Sequence, residues 1–222
     1  MWKSFLSLLK ERPANNFGIA FIVAIIITII TGTFIIFYGK FESFQLINEA
    51  HNEFADQFFK YFTHYGDGLM WVPLGLFCLF YKRKYLVAVI AGIIISTLIA
   101  QVLKRVVFPE ELRPITYISE NFPVHTIDGV TMRRVNSFPS GHTTTAFTMA
   151  LILAHMLNKK FWSVVLPLLA FLAGYSRVYL AQHFPTDVFA GICIGILAGI
   201  LSLIIFKSFF KNNSRIRSGS KS

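Results

Sequence analysis

The chain has 222 residues, of which 55% are hydrophobic and 14% charged, with a mean hydropathy of +0.59. A soluble domain carries nearer a quarter charged residues, so the composition argues against an ordinary water-soluble globule. The net charge of +10, from 21 Lys and Arg against 11 Asp and Glu, is scattered between long apolar runs; that argues against a nucleic-acid partner and for membrane orientation or anionic lipid.

The first apolar run, Phe17 to Tyr38, is uncharged and long enough to cross a bilayer, which takes about 20 residues. It has no small-residue cleavage site near its end and is read as a retained anchor. From Phe41 to Phe62 the pattern changes. Phe44, Ile47, Phe54, Phe58 and Phe62 recur near helical spacing with acids and Lys60 between them, which predicts a helix lying in the membrane interface. Further spans are predicted at 65–81, where Asp67 is a discordant charge, and at 85–103. A polar, Pro-containing connection covers 108–138. Spans then follow at 139–157, 161–176 and 188–206. The basic tail 207–222, rich in Ser and Asn, is expected to be disordered. Cys78 and Cys193 lie inside apolar runs and are expected to be buried thiols without a disulfide. The fold class is therefore all-α: one domain over 1–206, a six-span transmembrane helix bundle with an interfacial helix in its first outer loop.

Positive charge sets the orientation. Lys3, Lys10 and Arg12, then Lys82, Arg83 and Lys84, then Lys159 and Lys160, then the basic tail, fall on one side of six spans, and the positive-inside rule makes it the cytoplasm. Both termini are then cytoplasmic. The third and fifth spans end outside, at Lys104 and Arg177. The fourth and sixth begin outside, at Pro139-Ser140-Gly141-His142 and just after His183 and Asp187. Four polar clusters distant in sequence are thus expected to meet on the outer face.

Their chemistry suits an oxyanion. His183 and Asp187 are at i and i+4 spacing, close enough to share a helix face. A carboxylate beside an imidazole fixes its tautomer and raises its basicity, freeing the other ring nitrogen to attack. The plainer alternative is an interfacial His beside a helix-capping Asp. Ser140-Gly141-His142 opens a helix whose free N–H groups and dipole favour an anion, and His142 can donate a proton. The alternative there is Ser as an N-cap and Gly as punctuation. Arg177, Arg113, Lys104 and Arg105 lie on the same side. Any one of them alone is explained by snorkelling, but together with two histidines they can neutralise a transferring phosphoryl group without a metal. No acidic cluster suggests a metal cage, so no cofactor is expected. His125 and Asp128 are read as solvated loop residues, His155 as structural, and Asp67 as a helix-entry acid or the partner of a cation.

Ser176-Arg177-x5-His183-x3-Asp187 and Pro139-Ser140-Gly141-His142 resemble the third and second signatures of the type-2 phosphatidic acid phosphatase superfamily, which includes lipid phosphate phosphatases, bacterial acid phosphatases and vanadium haloperoxidases. The first signature, Lys-x6-Arg-Pro, is matched with two extra residues: eight separate Lys104 from Arg113-Pro114, and seven separate Arg105 from it. Either cation could fill that position, with Lys104 favoured. The resemblance implies that His183 attacks phosphorus, Asp187 orients it and His142 protonates the leaving oxygen. It also implies that Lys104, Arg113, Ser140, Gly141 and Arg177 hold the phosphate. The expected substrate is a lipid phosphate or pyrophosphate, with undecaprenyl pyrophosphate first and phosphatidylglycerol phosphate, phosphatidate or lipid A phosphate behind it. The expected setting is a bacterial inner membrane, with the site facing the periplasm or exterior. A phosphotransferase of the same family, and a catalytically silent lipid carrier or scaffold, are the alternatives.

Overall fold

The computed structural model describes Leu8 and residues 14–119 and 122–219, with side chains described as far as residue 211. Lys3, Lys10, Arg12 and Lys221, which entered the orientation argument, lie outside the described residues, as do the side chains of Arg215 and Arg217. Among the described residues there is no strand. Seven α-helices order the described residues: α1 Ala14–Asn48, α2 Glu53–Phe62, α3 Trp71–Tyr81, α4 Leu86–Val102, α5 Gly141–Leu157, α6 Lys160–Tyr179 and α7 Pro185–Gly219.

The helix α5 sits at the centre and packs against α7, α6, α4 and α1. Its side chains are almost all buried from Thr143 to Met156. Around it the usual partition of side chains is inverted. On α4 the small residues Ala88, Ala91, Gly92, Ser96 and Ala100 point inward, while Ile90, Ile94 and Leu98, one stripe at i, i+4 and i+8, are more than half exposed. Small residues let helices approach closely, and large apolar residues turned outward are stable only against hydrocarbon. Gly191 and Gly195 do the same on α7: a Cβ on Gly195 would lie 2.6 Å from the Phe147 Cβ, and one on Gly191 would lie 2.7 Å from the Ser140 carbonyl oxygen. Both positions therefore require glycine for α7 to rest on α5.

Four helices, within α1, α4, α6 and α7, are long and apolar enough to cross a membrane, so the chain is a membrane protein. The predicted elements differ in several places. α3 begins only at Trp71, because the Asp67 carboxylate accepts from Leu69 N and restarts the chain as a short 3-10 turn, Gly68–Met70. The predicted single helix over 41–62 is two pieces. Gly39, at φ 72°, kinks α1 so that its last turns carry Ser43, Phe44 and Asn48 inward, and Asn52 caps a separate α2 by accepting from Ala55 N. The tail expected to be disordered continues α7 to Gly219, since extending a formed helix adds a hydrogen bond for each residue fixed. Cys193 is exposed, not buried: in a membrane bundle an apolar neighbourhood does not imply the protein interior.

Candidate active site

The C-terminal ends of α4 and α6 and the N-terminal ends of α5 and α7 come together at one end of the bundle. They enclose a cavity of about 870 Å³. His142, His183, Lys104, Arg105, Arg113, Gly141 and Arg177 all line it.

His183 is placed by a strained elbow. Ala181, at φ 54°, is in the left-handed region where a Cβ is disfavoured. That turn folds the chain back so that both Gln182 N and His183 N donate to the Arg177 carbonyl, at 2.8 and 3.1 Å. Pro185 then starts α7, where its missing N–H costs nothing. Asp187 does what both readings of the sequence asked of it. Its Oδ2 accepts from Phe184 N at 3.0 Å, closing the first turn of α7. The same oxygen lies 3.2 Å from His183 Nδ1. A carboxylate can only accept, so Nδ1 carries the proton and Nε2 is left with its lone pair. Ser137 Oγ also donates to Oδ2. His183 and Asp187 are each only 2% exposed. Burial holds the His183 imidazole well below its ordinary pKa, and the charges of Arg113, Lys104 and Arg177 add to that. The ring is therefore neutral, the form that can attack.

The two arginines are held by neutral oxygens, Arg113 by backbone carbonyls and Arg177 by side chains. Arg113 donates Nε to Val135 O at 3.1 Å, Nη1 to Gln182 O at 2.8 Å and Nη2 to Asn136 O at 3.2 Å. Burial, and next the charge of Arg133, lower its pKa to about 10, so it stays charged at neutral pH. Arg177 donates Nη1 to Thr63 Oγ1 at 2.7 Å and Nη2 to Gln182 Oε1 at 3.4 Å. Its Nε is buried without a partner, an N–H that a bound oxyanion would satisfy. Lys104 and Arg105 both sit on a π turn, Leu103–Val107, closed by Phe108 N donating to Leu103 O at 2.8 Å. This turn and the bend after it lie between Lys104 and Arg113. Lys104 is the one of the pair whose charge acts on His183.

Ser140 does not reach the cavity. Fully buried, its Oγ caps α5, accepting from Thr143 Oγ1 at 2.8 Å and Thr143 N at 3.4 Å. Its backbone N donates to Asp187 O at 3.0 Å, which locks the start of α5 to the start of α7. His142, on the first turn of α5, has Nε2 at 3.9 Å from Asp67 Oδ2. His155 is buried, with Nδ1 3.0 Å from the Tyr85 hydroxyl. His125 is not a solvated loop residue. Its Nε2 lies 3.1 Å from Asp56 Oδ2 and its ring stacks on His51 at 3.7 Å, so it ties the long connection to α2. Asp128 is exposed, and its carbonyl accepts from Lys60 Nζ at 2.6 Å. Gln182, Ser137 and Thr63 belong to the site and were missed. Only Gln182, adjacent to His183, carried any sequence signal.

Residues 68–211, more than half of the chain, match the profile of the PAP2 superfamily. The chain belongs to the PAP2 superfamily. Among curated PAP2-like relatives, it is 29% identical over 167 residues to the undecaprenyl-diphosphatase of Sulfolobus acidocaldarius, covering 74% of this chain and 77% of that protein. It is 28% identical to the lipid A 4'-phosphatase of Porphyromonas gingivalis, covering 70% and 68% of the two chains. The crystal structure of Aquifex aeolicus LpxE superimposes with a TM-score of 0.66 at 36% identity, covering 74% of this chain and 94% of that one. Membership in this superfamily and the apolar helices make the chain a membrane lipid phosphatase.

Proposed function

We propose that the chain hydrolyses the phosphate of a membrane lipid through a phosphohistidine on His183. The observation that carries this reading is the pairing of a buried, neutral His183, oriented by Asp187, with Arg113 and Arg177 around one cavity. His183 Nε2 forms a bond to phosphorus while His142 protonates the leaving lipid oxygen. Lys104, Arg113, Arg177 and the backbone at Gly141 neutralise the equatorial oxygens, and Ser140 aligns that backbone. Water then cleaves the N–P bond. The reading uses no metal, and among the described residues no three His, Cys, Asp or Glu are grouped to hold one. Activity is expected to survive EDTA; complete loss restored by Mg²⁺ would contradict this.

The relatives include an undecaprenyl-diphosphatase and a lipid A phosphatase; undecaprenyl pyrophosphate is our first choice, with phosphatidylglycerol phosphate, phosphatidate and lipid A phosphate behind it. The shorter α3 and α5 are assigned as the remaining two of six spans. α2 is assigned to the membrane interface on the non-cytoplasmic side, where the site opens: Phe54 and Tyr61 on it are 81% and 69% exposed. The setting is a bacterial inner membrane. The test is purified protein assayed on a panel of lipid monophosphates and pyrophosphates, with added alcohols to detect transfer. Phosphate release from none of them would overturn the reading, and release that depends on an acceptor alcohol would favour a phosphotransferase.

A pH dependence follows from His183. Its folded pKa is depressed, so the attacking neutral form persists as pH falls and is lost only on passing that lowered value. The profile of kcat/KM is expected to be bell-shaped, with an acid limb below the ordinary imidazole range near 6.5 once substrate ionisation is subtracted. An acid limb above that range would contradict the buried, cation-flanked imidazole.

A further inference from the structure

The cavity holds more positive charge than one phosphate needs. Beyond Lys104, Arg113 and Arg177, it is lined by Arg105 and Arg133, and no Asp or Glu lines it. With Lys104 in the first signature position, Arg105 and Arg133 fall outside the signature motifs, and neither has a carboxylate partner among the described residues. Arg133 is close enough for its charge to act on Arg113, Lys104 and Arg177 together. The carboxylates of Asp187 and Asp67 act on Lys104, Arg113 and Arg177 but are fewer than the five cations, so the like charges destabilise the empty site and a polyanion relieves them. The backbone that carries Arg133 is fixed on both sides by the site itself. Gln182 Nε2 donates to Thr131 O at 3.2 Å, and Arg113 N donates to Arg134 O at 2.9 Å. Arg133 thus stands on anchored backbone at the exposed margin of the cavity rather than on a loose loop.

We propose that Arg133, with Arg105 lining the same cavity, forms a second phosphate subsite, so that the headgroup the protein takes is a diphosphate. This deepens the phosphatase reading and rests on it. The terminal phosphate lies among Lys104, Arg113 and Arg177 in reach of His183, and the phosphate bonded to the lipid lies against Arg133. His183 Nε2 bonds to the terminal phosphorus. The bond from that phosphorus to the bridging oxygen breaks, and its electron pair stays on the bridging oxygen, which takes the proton from His142. The lipid departs as a monophosphate. Water then cleaves the N–P bond, releasing orthophosphate and restoring the imidazole. Arg133 neutralises charge that grows on the leaving phosphate, so it is needed for a diphosphate and not for an alkyl monoester.

The test has two arms on the full-length protein in detergent. The first compares hydrolysis of a prenyl diphosphate and the monophosphate of the same prenyl alcohol by wild type, Arg133→Gln and Arg133→Lys. A charged hydrogen bond lost at the leaving group is expected to lower diphosphate kcat/KM by about 10–100-fold in Arg133→Gln. Monoester kcat/KM falls only a few-fold, and Lys restores part of the difference. An equal fall on both substrates, or none, would overturn the subsite. The second arm measures binding of inorganic pyrophosphate and orthophosphate to the His183→Ala variant, with and without Arg133→Gln. A preference of about tenfold or more for pyrophosphate that disappears with Arg133 supports the subsite even if no lipid is hydrolysed, in which case the phosphatase reading alone fails. Equal affinity for the two anions would overturn the subsite while leaving that reading intact.

Discussion

Replacing His183 with Ala is expected to lower kcat for a lipid phosphate by at least about 10⁴-fold, the scale seen when the nucleophile of a covalent mechanism is removed. No neighbouring group can take its place. Of the two other imidazoles lining the cavity, His142 serves the leaving oxygen, and His64, with its side chain 69% exposed and Nδ1 3.9 Å from Asp67 Oδ2, is not oriented by a buried carboxylate. The remaining first-rank groups, Lys104, Arg113 and Arg177, are held charged to bind the anion and have no lone pair to offer. Phosphate affinity should survive in the variant, because Arg113 and Arg177 are anchored by Val135, Asn136, Gln182 and Thr63 and not by the imidazole. Retained vanadate or phosphate binding beside lost turnover, with an unchanged melting temperature, is the expected combination. Turnover within tenfold of wild type would remove His183 from the chemistry.

Asp187→Asn carries the second largest expectation, a fall in kcat of about 10²–10⁴-fold. One oxygen of Asp187 serves three donors: Ser137 Oγ, Phe184 N and His183 Nδ1. An amide oxygen in the same place can accept from all three, with its NH₂ at the Oδ1 position beside Thr186. What the amide removes is the negative charge that stabilises the imidazole as it becomes cationic on bonding to phosphorus. The helix start at α7 survives and the chemistry does not. Steady-state kinetics with circular dichroism separate the two: a loss of helix in step with the loss of rate would assign Asp187 to capping alone.

Much of the site was legible because it follows from parity and spacing. Runs of apolar residues and the placement of Lys and Arg were enough to bring Lys104, Arg113, His142, Arg177 and His183 to the same end of the bundle, and the cavity is lined by all of them. What stayed hidden depends on contacts that span the chain. Ser137 reaches Asp187 across 50 residues, and Thr63 reaches Arg177 across 114. No periodicity records a loop hydroxyl. Ser140 was ambiguous because a cap and an anion donor use the same residue type at the same place, and only its bonds to Thr143 decide for the cap. The kink at Gly39 and the outward-facing Cys193 were missed for a different reason. In hydrocarbon an apolar stretch reads the same whether it faces lipid or protein, so hydropathy loses the side-to-side signal that amphipathic helices carry in water.

The central claim is a covalent bond between phosphorus and His183, and it can be seen directly. Wild-type protein mixed with substrate, quenched in alkali to preserve a phosphoramidate and digested for mass spectrometry, should show one added phosphoryl group on the peptide containing residue 183. The signal should be missing from His183→Ala. A phosphoryl group on any other residue, or turnover that proceeds in the wild type with none trapped on this peptide at any quench time, would contradict the account.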